Sequence, residues 1–397
     1  MPANKPRIAL LFAQFSAYHI DRCEAVAARL GDQAEVLAVE VATTSALYAW
    51  DPSGEVRGAR KVTLFPGQSF DDVSKARRLW AQLRILGRCD WVFVGIGYNE
   101  PDVILLSWAL RLLGVRVVVL SESKFDDFPR SVWFEAFKAL VLAPYVAAVV
   151  GAKRHIAYFR FLGFRRRPVL PGYDTVGIER VRQMGAGGAA VGWADRNFIF
   201  VGRFVAKKNL FELLNGYRAY RDQAGQQARR LVLVGGGPDE QSVRSQVEEL
   251  GLAEWVDFAG FVGAEGVATL MARSLALVLP SSEEQWGLVV NEALAFGLPA
   301  IVSSAVGSRD VLVRNLVYGF VIEPGSEAGL AAAMLTLSAD EQAWQAMSEA
   351  STLRAGLGDT ARLADAVEFL VNRNAEACSR IKAFAGAMSS AAVDPRL

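Results

Sequence analysis

Two carboxylates at a fixed spacing, Glu284 and Glu292, lie inside the segment Pro280-Ser-Ser-Glu-Glu-Gln-Trp-Gly-Leu-Val-Val-Asn-Glu-Ala-Leu-Ala-Phe-Gly-Leu-Pro299. A strand is expected to end at Pro280, a polar turn to follow, and a helix to begin near Gly287. Glu284 then falls in the turn and Glu292 in the helix. A carboxylate in such a mouth accepts hydrogen bonds from sugar hydroxyls, and a second one, about two turns along, clamps another hydroxyl pair. Gly287 and Leu288, at the helix start, offer backbone N–H groups to a phosphate. Two solvated glutamates are the plainer alternative, but they account less well for the flanking Pro-Ser-Ser and for Trp286 beside Gly287.

Two further segments carry chemistry of the same kind. Val201-Gly-Arg-Phe-Val-Ala-Lys-Lys-Asn-Leu210 holds Arg203 and Lys208 between a strand and a helix. An arginine fork and a lysine point charge beside a helix N-terminus suit a diphosphate. Taken alone, the segment also fits ordinary surface basicity. Gly235-Gly-Gly-Pro-Asp-Glu240 directly follows the apolar run Leu231–Val234. Glu240 stands where a nicotinamide fingerprint needs its third glycine, so that motif is absent. What remains is a tight turn built for close backbone approach, to a ligand or to another loop.

These segments need a scaffold, and the chain alternates short apolar runs with helical patterns. In the first half, strands are expected at Ile8–Ala13, Ala34–Val39, Trp91–Gly95, Val115–Leu120 and Ala147–Val150. Helices are expected at Ile20–Leu30, Val73–Leu86, Asp102–Leu113 and Ser131–Leu142. The run Met184–Gly192, rich in small residues, reads as a linker. Alternation resumes with strands at Phe198–Val201, Leu231–Val234, Val256–Phe258, Ala276–Leu279 and Ala300–Val302. The pattern implies an α/β protein of two tandem Rossmann-like, doubly wound domains that face a central cleft. The expected boundaries are 1–182, a linker over 183–196, 197–360, and a C-terminal helix from Ala361 to Ala383, within 361–397, that crosses back to the first domain.

Composition agrees. The 397 residues are 52% hydrophobic and carry 43 Lys and Arg against 42 Asp and Glu. A mean hydropathy of +0.22 asks for sheets buried on both faces. A net charge of +1 argues against a nucleic-acid partner. Cys23, Cys89 and Cys378 lie far apart, which fits a reducing cytoplasm and no zinc pattern. No uncharged stretch is long enough for a transmembrane helix.

Together the segments resemble the retaining glycosyltransferases of family 4, which have the GT-B fold. Glu284 through Glu292 match the E-x7-E signature, Arg203 and Lys208 the phosphate-binding pair, and Gly235 and Gly237 the Gly-x-Gly-Pro turn. Val256-Asp-Phe-Ala-Gly-Phe-Val262 matches the strand and loop at the base pocket, and Ala305-Val-Gly307 a later glycine motif. The resemblance covers about residues 197–330. It implies a nucleotide-sugar donor, a UDP-sugar first and a GDP-sugar as the alternative, with no metal and no other cofactor. Glu284 would contact the donor sugar, Glu292 the ribose, Gly287, Leu288 and Trp286 the donor loop, and Val262 the base. Arg203 and Lys208 would stabilise the departing diphosphate. The acceptor would be a glycan, a lipid-linked sugar or a small molecule, in surface polysaccharide or glycoconjugate biosynthesis. A non-catalytic nucleotide-sugar binder and a GT-B epimerase or phosphorylase are the alternatives.

The first domain departs from the family. Its first loop, Gln14-Phe-Ser-Ala-Tyr-His19, lacks the usual glycine pair, and Ser121-Glu-Ser-Lys-Phe-Asp-Asp127 stands where a histidine is common. Tyr18, His19, Glu122, Tyr98 and Asn99 are therefore the expected acceptor-side residues, with Lys124 an alternative to Glu122. His155 reads as structural. The basic amphipathic segment Lys75–Arg88, with Trp80, fits either a helix packed on the sheet or a peripheral contact with an anionic membrane.

Overall fold

The computed structural model describes residues 5–45, 54–127, 129–187 and 191–389. The chain divides into two units: one runs to Gly177 and resumes at Thr360, and the other spans Ile178–Asp359.

The first unit opens with β1 (Arg7–Phe12), α1 (Ala17–Leu30), β2 (Glu35–Thr44) and β3 (Arg60–Ser69). It continues with α2 (Lys75–Leu86), β4 (Trp91–Val94), α3 (Pro101–Leu112) and β5 (Arg116–Ser121). It proceeds through α4 (Val132–Val141), β6 (Ala147–Val150), α5 (Lys153–Phe161) and β7 (Val169–Pro171). The seven strands form one parallel sheet in the order β3-β2-β1-β4-β5-β6-β7. Helices cover both faces, so central strands such as Ile8-Ala-Leu-Leu-Phe12 are at most 1% exposed. That double burial is why they read as unbroken apolar runs. Leu86, Leu110, Val141 and Phe159 place α2, α3, α4 and α5 against one face, while Cys23, Val26 and Leu30 of α1 lie on the other.

The second unit begins with α6 (Ile178–Gly185), β8 (Asn197–Val201), α7 (Leu210–Ala224), β9 (Leu231–Val234) and α8 (Glu240–Glu249). Next come β10 (Val256–Gly260), α9 (Ala264–Ala272), β11 (Ser274–Leu279), α10 (Leu288–Ala295) and β12 (Ala300–Ser303). It closes with α11 (Arg309–Leu312), β13 (Gly319–Ile322), α12 (Glu327–Ala339) and α13 (Glu341–Arg354). Its six parallel strands run β10-β9-β8-β11-β12-β13. Strand order reverses direction between β8 and β11, a topological switch point where the loops after the two strands diverge and leave a crevice.

Three sequence expectations shift. The unit boundary falls at Gly177/Ile178, because α6 packs on α9 and α10 of the second unit. The small-residue run Met184–Gly192 therefore begins within a helix that already belongs to that unit, since Met184 and Gly185 end α6, and its residues 188–190 lie outside the described residues. The C-terminal pattern is two helices, α14 (Ala361–Asn372) and α15 (Ala375–Ser389), parted at Arg373 with φ +51°. α14 packs on α1 and buries Leu363, Ala364, Val367 and Leu370 in the first unit's core. Each leucine or valine so buried contributes roughly 1.5–3 kcal/mol. Strands β3, β7 and β13 were not expected; β3 is the longest of them. It lies at the sheet edge, is only partly buried and contains Pro66 and Gly67.

Candidate functional site

In the second unit, Arg203 and Lys208 occupy the loop after β8, and Glu284 the loop after β11, the two strands that flank the switch point. Lys208 Nζ donates to Glu284 Oε2 in a partly buried ion pair. Ser281, fully buried, donates its hydroxyl to the same carboxylate oxygen at 3.3 Å. Asn209 Nδ2 donates to the Pro280 carbonyl at 3.3 Å, and Ser282 N to the Lys207 carbonyl at 2.9 Å. The two loops are thus tied at three points around one cation and one anion. Arg203 is exposed, and among the described residues its guanidinium has no carboxylate partner.

The glycine turn acts on this arrangement from behind. Gly235 has φ +125°, and a Cβ there would lie 2.0 Å from the Gly202 carbonyl oxygen. A Cβ on Gly237 would lie 2.4 Å from the Phe204 carbonyl oxygen. Phe204 N donates to the Gly236 carbonyl at 2.9 Å, and Gly202 N to that of Val234 at 3.0 Å. The glycines are needed so that the backbone can touch residues 202–204 and hold Arg203 in place. Of the two approaches left open by the sequence, the one to a neighbouring loop is present.

Helix α10 starts at Gly287, whose φ of +89° is readily held by glycine. The N–H groups of Leu288 and Val289 lie in the first turn, where an α-helix supplies no internal acceptor. Glu292 is half-buried on the same helix. Trp286 is 3% exposed and donates its indole N–H to Asn291 Oδ1 at 2.9 Å, while Asn291 Nδ2 donates to the Gly358 carbonyl at 3.0 Å. Trp286 therefore anchors the loop from inside and presents little surface to a ligand. The loop after β12 closes against it: Ser308 N donates to the Trp286 carbonyl at 3.0 Å, and Ser303 Oγ to the Ser281 carbonyl. A Cβ on Gly307 would lie 1.8 Å from the Gln285 carbonyl oxygen. Val262 is half-buried just past β10, next to Phe261, which is 85% exposed.

In the first unit, the residues expected on the acceptor side separate. His19 is half-buried at the start of α1, and its Nδ1 accepts from Ser16 N at 3.0 Å. Burial, with Arg22 adding to it, holds its imidazole well below the usual pKa, so the ring is neutral at pH 7. Tyr18 is half-buried and Asn99 exposed. Tyr98 is buried and donates to Ser123 Oγ at 3.3 Å, and burial raises its pKa. Its phenol props up the loop after β5. Lys124 is buried, with Nζ 3.0 Å from Asp127 and 3.3 Å from Asp126, an internal tether and not an open cation. His155 is buried and its Nδ1 accepts from Ala152 N at 3.1 Å, a structural role.

Asp174 escaped sequence reasoning. It is buried beyond β7 near Glu122; burial and the Glu122 charge push its carboxyl well above the usual range, against the pull of Arg22. Arg22 itself is buried, stacked 4.6 Å over Tyr173 and donating to the Thr175 carbonyl at 3.1 Å. His19, Arg22, Glu122 and Asp174 thus interact electrostatically near the strand ends. No motif flags Asp174, because its partner is brought close only by the order β5-β6-β7. Ser281 and Ser303 were also missed as loop ties, although the Pro-Ser-Ser turn marks the first of them.

Residues 194–354 match the family model described as Glycosyl transferases group 1. The chain is 29% identical over 250 residues to the lipopolysaccharide core biosynthesis glycosyltransferase LpsD of Rhizobium meliloti, covering 61% of this chain and 66% of that one. It is 30% identical over 154 residues to the 2-deoxystreptamine N-acetyl-D-glucosaminyltransferase of Streptomyces fradiae, covering 38% and 35%. O-antigen chain mannosyltransferase C of Escherichia coli is 31% identical over 163 residues, covering 40% and 42%. The chain thus spans from about a third to just under two thirds of these relatives' length. Among solved structures, a sucrose-phosphate synthase from Thermosynechococcus elongatus superposes with a TM-score of 0.70 at 18% identity, covering 93% of this chain and 99% of that one. Anabaena HepE, in complex with UDP and glucose, gives 0.67 at 16%, covering 93% and 100%. The fold is GT-B, two parallel-sheet Rossmann-like domains, and residues 194–354 carry the similarity to the group 1 glycosyl transferases.

Proposed function

We propose that this chain is a retaining, metal-independent glycosyltransferase of the family 4 type. It moves a sugar from a nucleotide diphosphate to a glycan, lipid-linked or small-molecule acceptor in surface polysaccharide or glycoconjugate biosynthesis. The observation that carries this reading is the Lys208–Glu284 pair beside Arg203 at the switch point of the second sheet. Lys208 has three N–H donors and directs one to Glu284, so the others are available to a diphosphate. Arg203 adds a second positive charge, and the first N–H groups of α10 supply neutral donors. As the glycosidic bond breaks, negative charge grows on the diphosphate, and fixed donors stabilise it more than they stabilise the intact donor. The acceptor hydroxyl attacks from the face the diphosphate leaves, and a β-phosphate oxygen takes its proton. Glu284 and Glu292, as the E-x7-E pair, hold the donor sugar and the ribose. His19, Tyr18, Glu122 and Asn99 of the first unit serve the acceptor. UDP is favoured over GDP because HepE, of like fold, was solved with UDP.

Calorimetry with bare UDP and GDP tests the reading, and both binding and turnover are expected to survive EDTA. Glu292→Ala should weaken nucleotide binding at least about tenfold, or about 1.4 kcal/mol, without lowering the unfolding temperature. A wild-type protein that binds no nucleoside diphosphate overturns the reading, and an unaltered affinity of the variant refutes the ribose role.

A further inference from the structure

Helix α4 is built inside out. Glu135 is 5% exposed and faces the protein, where its carboxylate accepts from Tyr158 Oη at 2.6 Å, Lys138 Nζ at 3.0 Å and Arg130 Nη1 at 3.2 Å. Arg130 and Lys138 also donate to Tyr158 Oη, at 3.0 and 2.9 Å. The polar network pins the helix to α5, and the apolar residues are left outside. Trp133 is 86% exposed, Val132 82%, Leu140 62%, Phe134 55% and Phe137 53%. Trp133, Phe137 and Leu140 recur at i, i+4 and i+7 and so form one stripe. A helix that faced only water would present the reverse polarity.

The neighbouring elements extend this surface. Among the described residues, twelve of the sixteen exposed large hydrophobic side chains fall within residues 80–161, and the other four are scattered in the second unit. Leu105, Trp108 and Leu112 are exposed on α3 and Leu113 at its C-cap, and Phe125 packs edge-on to Phe161 at 5.7 Å, both exposed. Helices α2 to α5 share one face of the sheet, so their outward sides form one layer.

Charge selects the occupant. Residues 75–167 hold 16 Lys and Arg against seven Asp and Glu, in a chain whose total is +1. Lys75, Arg77 and Arg84 are exposed on α2 and Arg88 just past its end, and Lys153, Arg160, Arg165 and Arg166 on or beside α5. Of the acids, Asp102, Asp127 and Glu135 are buried in ion pairs. A groove of about 760 Å³ between β3 and α2 is lined by Leu64, Phe65, Trp80, Arg77, Arg84 and Arg88. Apolar walls with guanidinium groups match an acyl chain and its phosphate. Contiguous exposed aromatics rimmed by cations are the chemistry of an interface with anionic lipid.

We infer that the outer layer of the first unit, centred on α4, docks on an anionic bilayer surface. Docking centres on α4, with α2 at the rim, whereas the sequence directs attention to residues 75–88. This inference is independent of the proposed reaction. It is tested by co-sedimenting the full chain with phosphatidylcholine vesicles, with and without phosphatidylglycerol. The protein should pellet with the anionic vesicles and be partly released by salt. The exposed-site double variant Trp133→Ser, Phe137→Ser should bind at least about tenfold more weakly, with unchanged unfolding temperature and unchanged UDP affinity. Absence of pelleting at low salt overturns the inference. So does equal binding by the variant, or a wild-type dimer in light scattering that the variant dissolves, which would make the occupant a second copy.

Discussion

Replacing Lys208 with alanine is expected to lower turnover at least about tenfold, about 1.4 kcal/mol of barrier, with a smaller change in the apparent affinity for the donor. Lys208 is held by Glu284, which is itself held by Ser281, so the ammonium reaches its position without help from a ligand. A preorganised cation contributes most where charge is developing, and the diphosphate gains charge only as the bond breaks. The substitution also leaves Glu284 a partly buried carboxylate with the Ser281 hydroxyl but without its cation. Lys208→Arg should recover only part of the rate, because a planar fork does not reproduce a point charge. Steady-state kinetics decide, and wild-type turnover in Lys208→Ala removes the residue from the mechanism.

Gly235→Ala is expected to destabilise the second unit by roughly 2–4 kcal/mol and to reduce activity in the fraction that folds. Two terms act together. The backbone at φ +125° is one that residues with a Cβ rarely adopt, and the added Cβ would overlap the Gly202 carbonyl at 2.0 Å. Relief requires moving the Gly202–Phe204 segment, and with it Arg203. Gly356→Ala is the control: no atom lies within 4 Å of its Cβ direction. The thermal unfolding midpoint should fall for Gly235→Ala and stay within error for Gly356→Ala. An unchanged midpoint in Gly235→Ala would contradict the close-approach account.

The double-sided burial of the central strands made most of the fold legible in sequence. Runs such as Leu231–Val234 and Ala147–Val150 have no polar face to hide, and each became a strand with little or no change in its bounds. Legibility failed where burial was partial or where a break lacked a breaker residue. Edge strand β3 has no strict alternation, and the chain turns at Arg373 in a left-handed conformation that glycine or asparagine usually marks. At the site, Arg203, Lys208 and Glu284 could be named from their types and neighbours. That Lys208 and Glu284 form a pair could not, because they are 76 residues apart and meet only through the adjacency of β8 and β11. The same limit hid Asp174 beside Glu122. It also hid the outward face of α4, since the direction of that helix is set by Tyr158 and Arg130 and not by its own periodicity.

We propose that the second unit presents a sugar nucleotide for transfer, and this is the reading on which the rest of the proposed function depends. It is met most directly by incubating the protein with UDP-, GDP- and ADP-sugars and measuring released nucleotide, with and without a range of glycan and lipid-linked acceptors. One nucleoside diphosphate should be released, and acceptor should increase its release. Binding across the panel with no release under any condition would contradict it and leave a nucleotide-sugar binding protein without transferase activity.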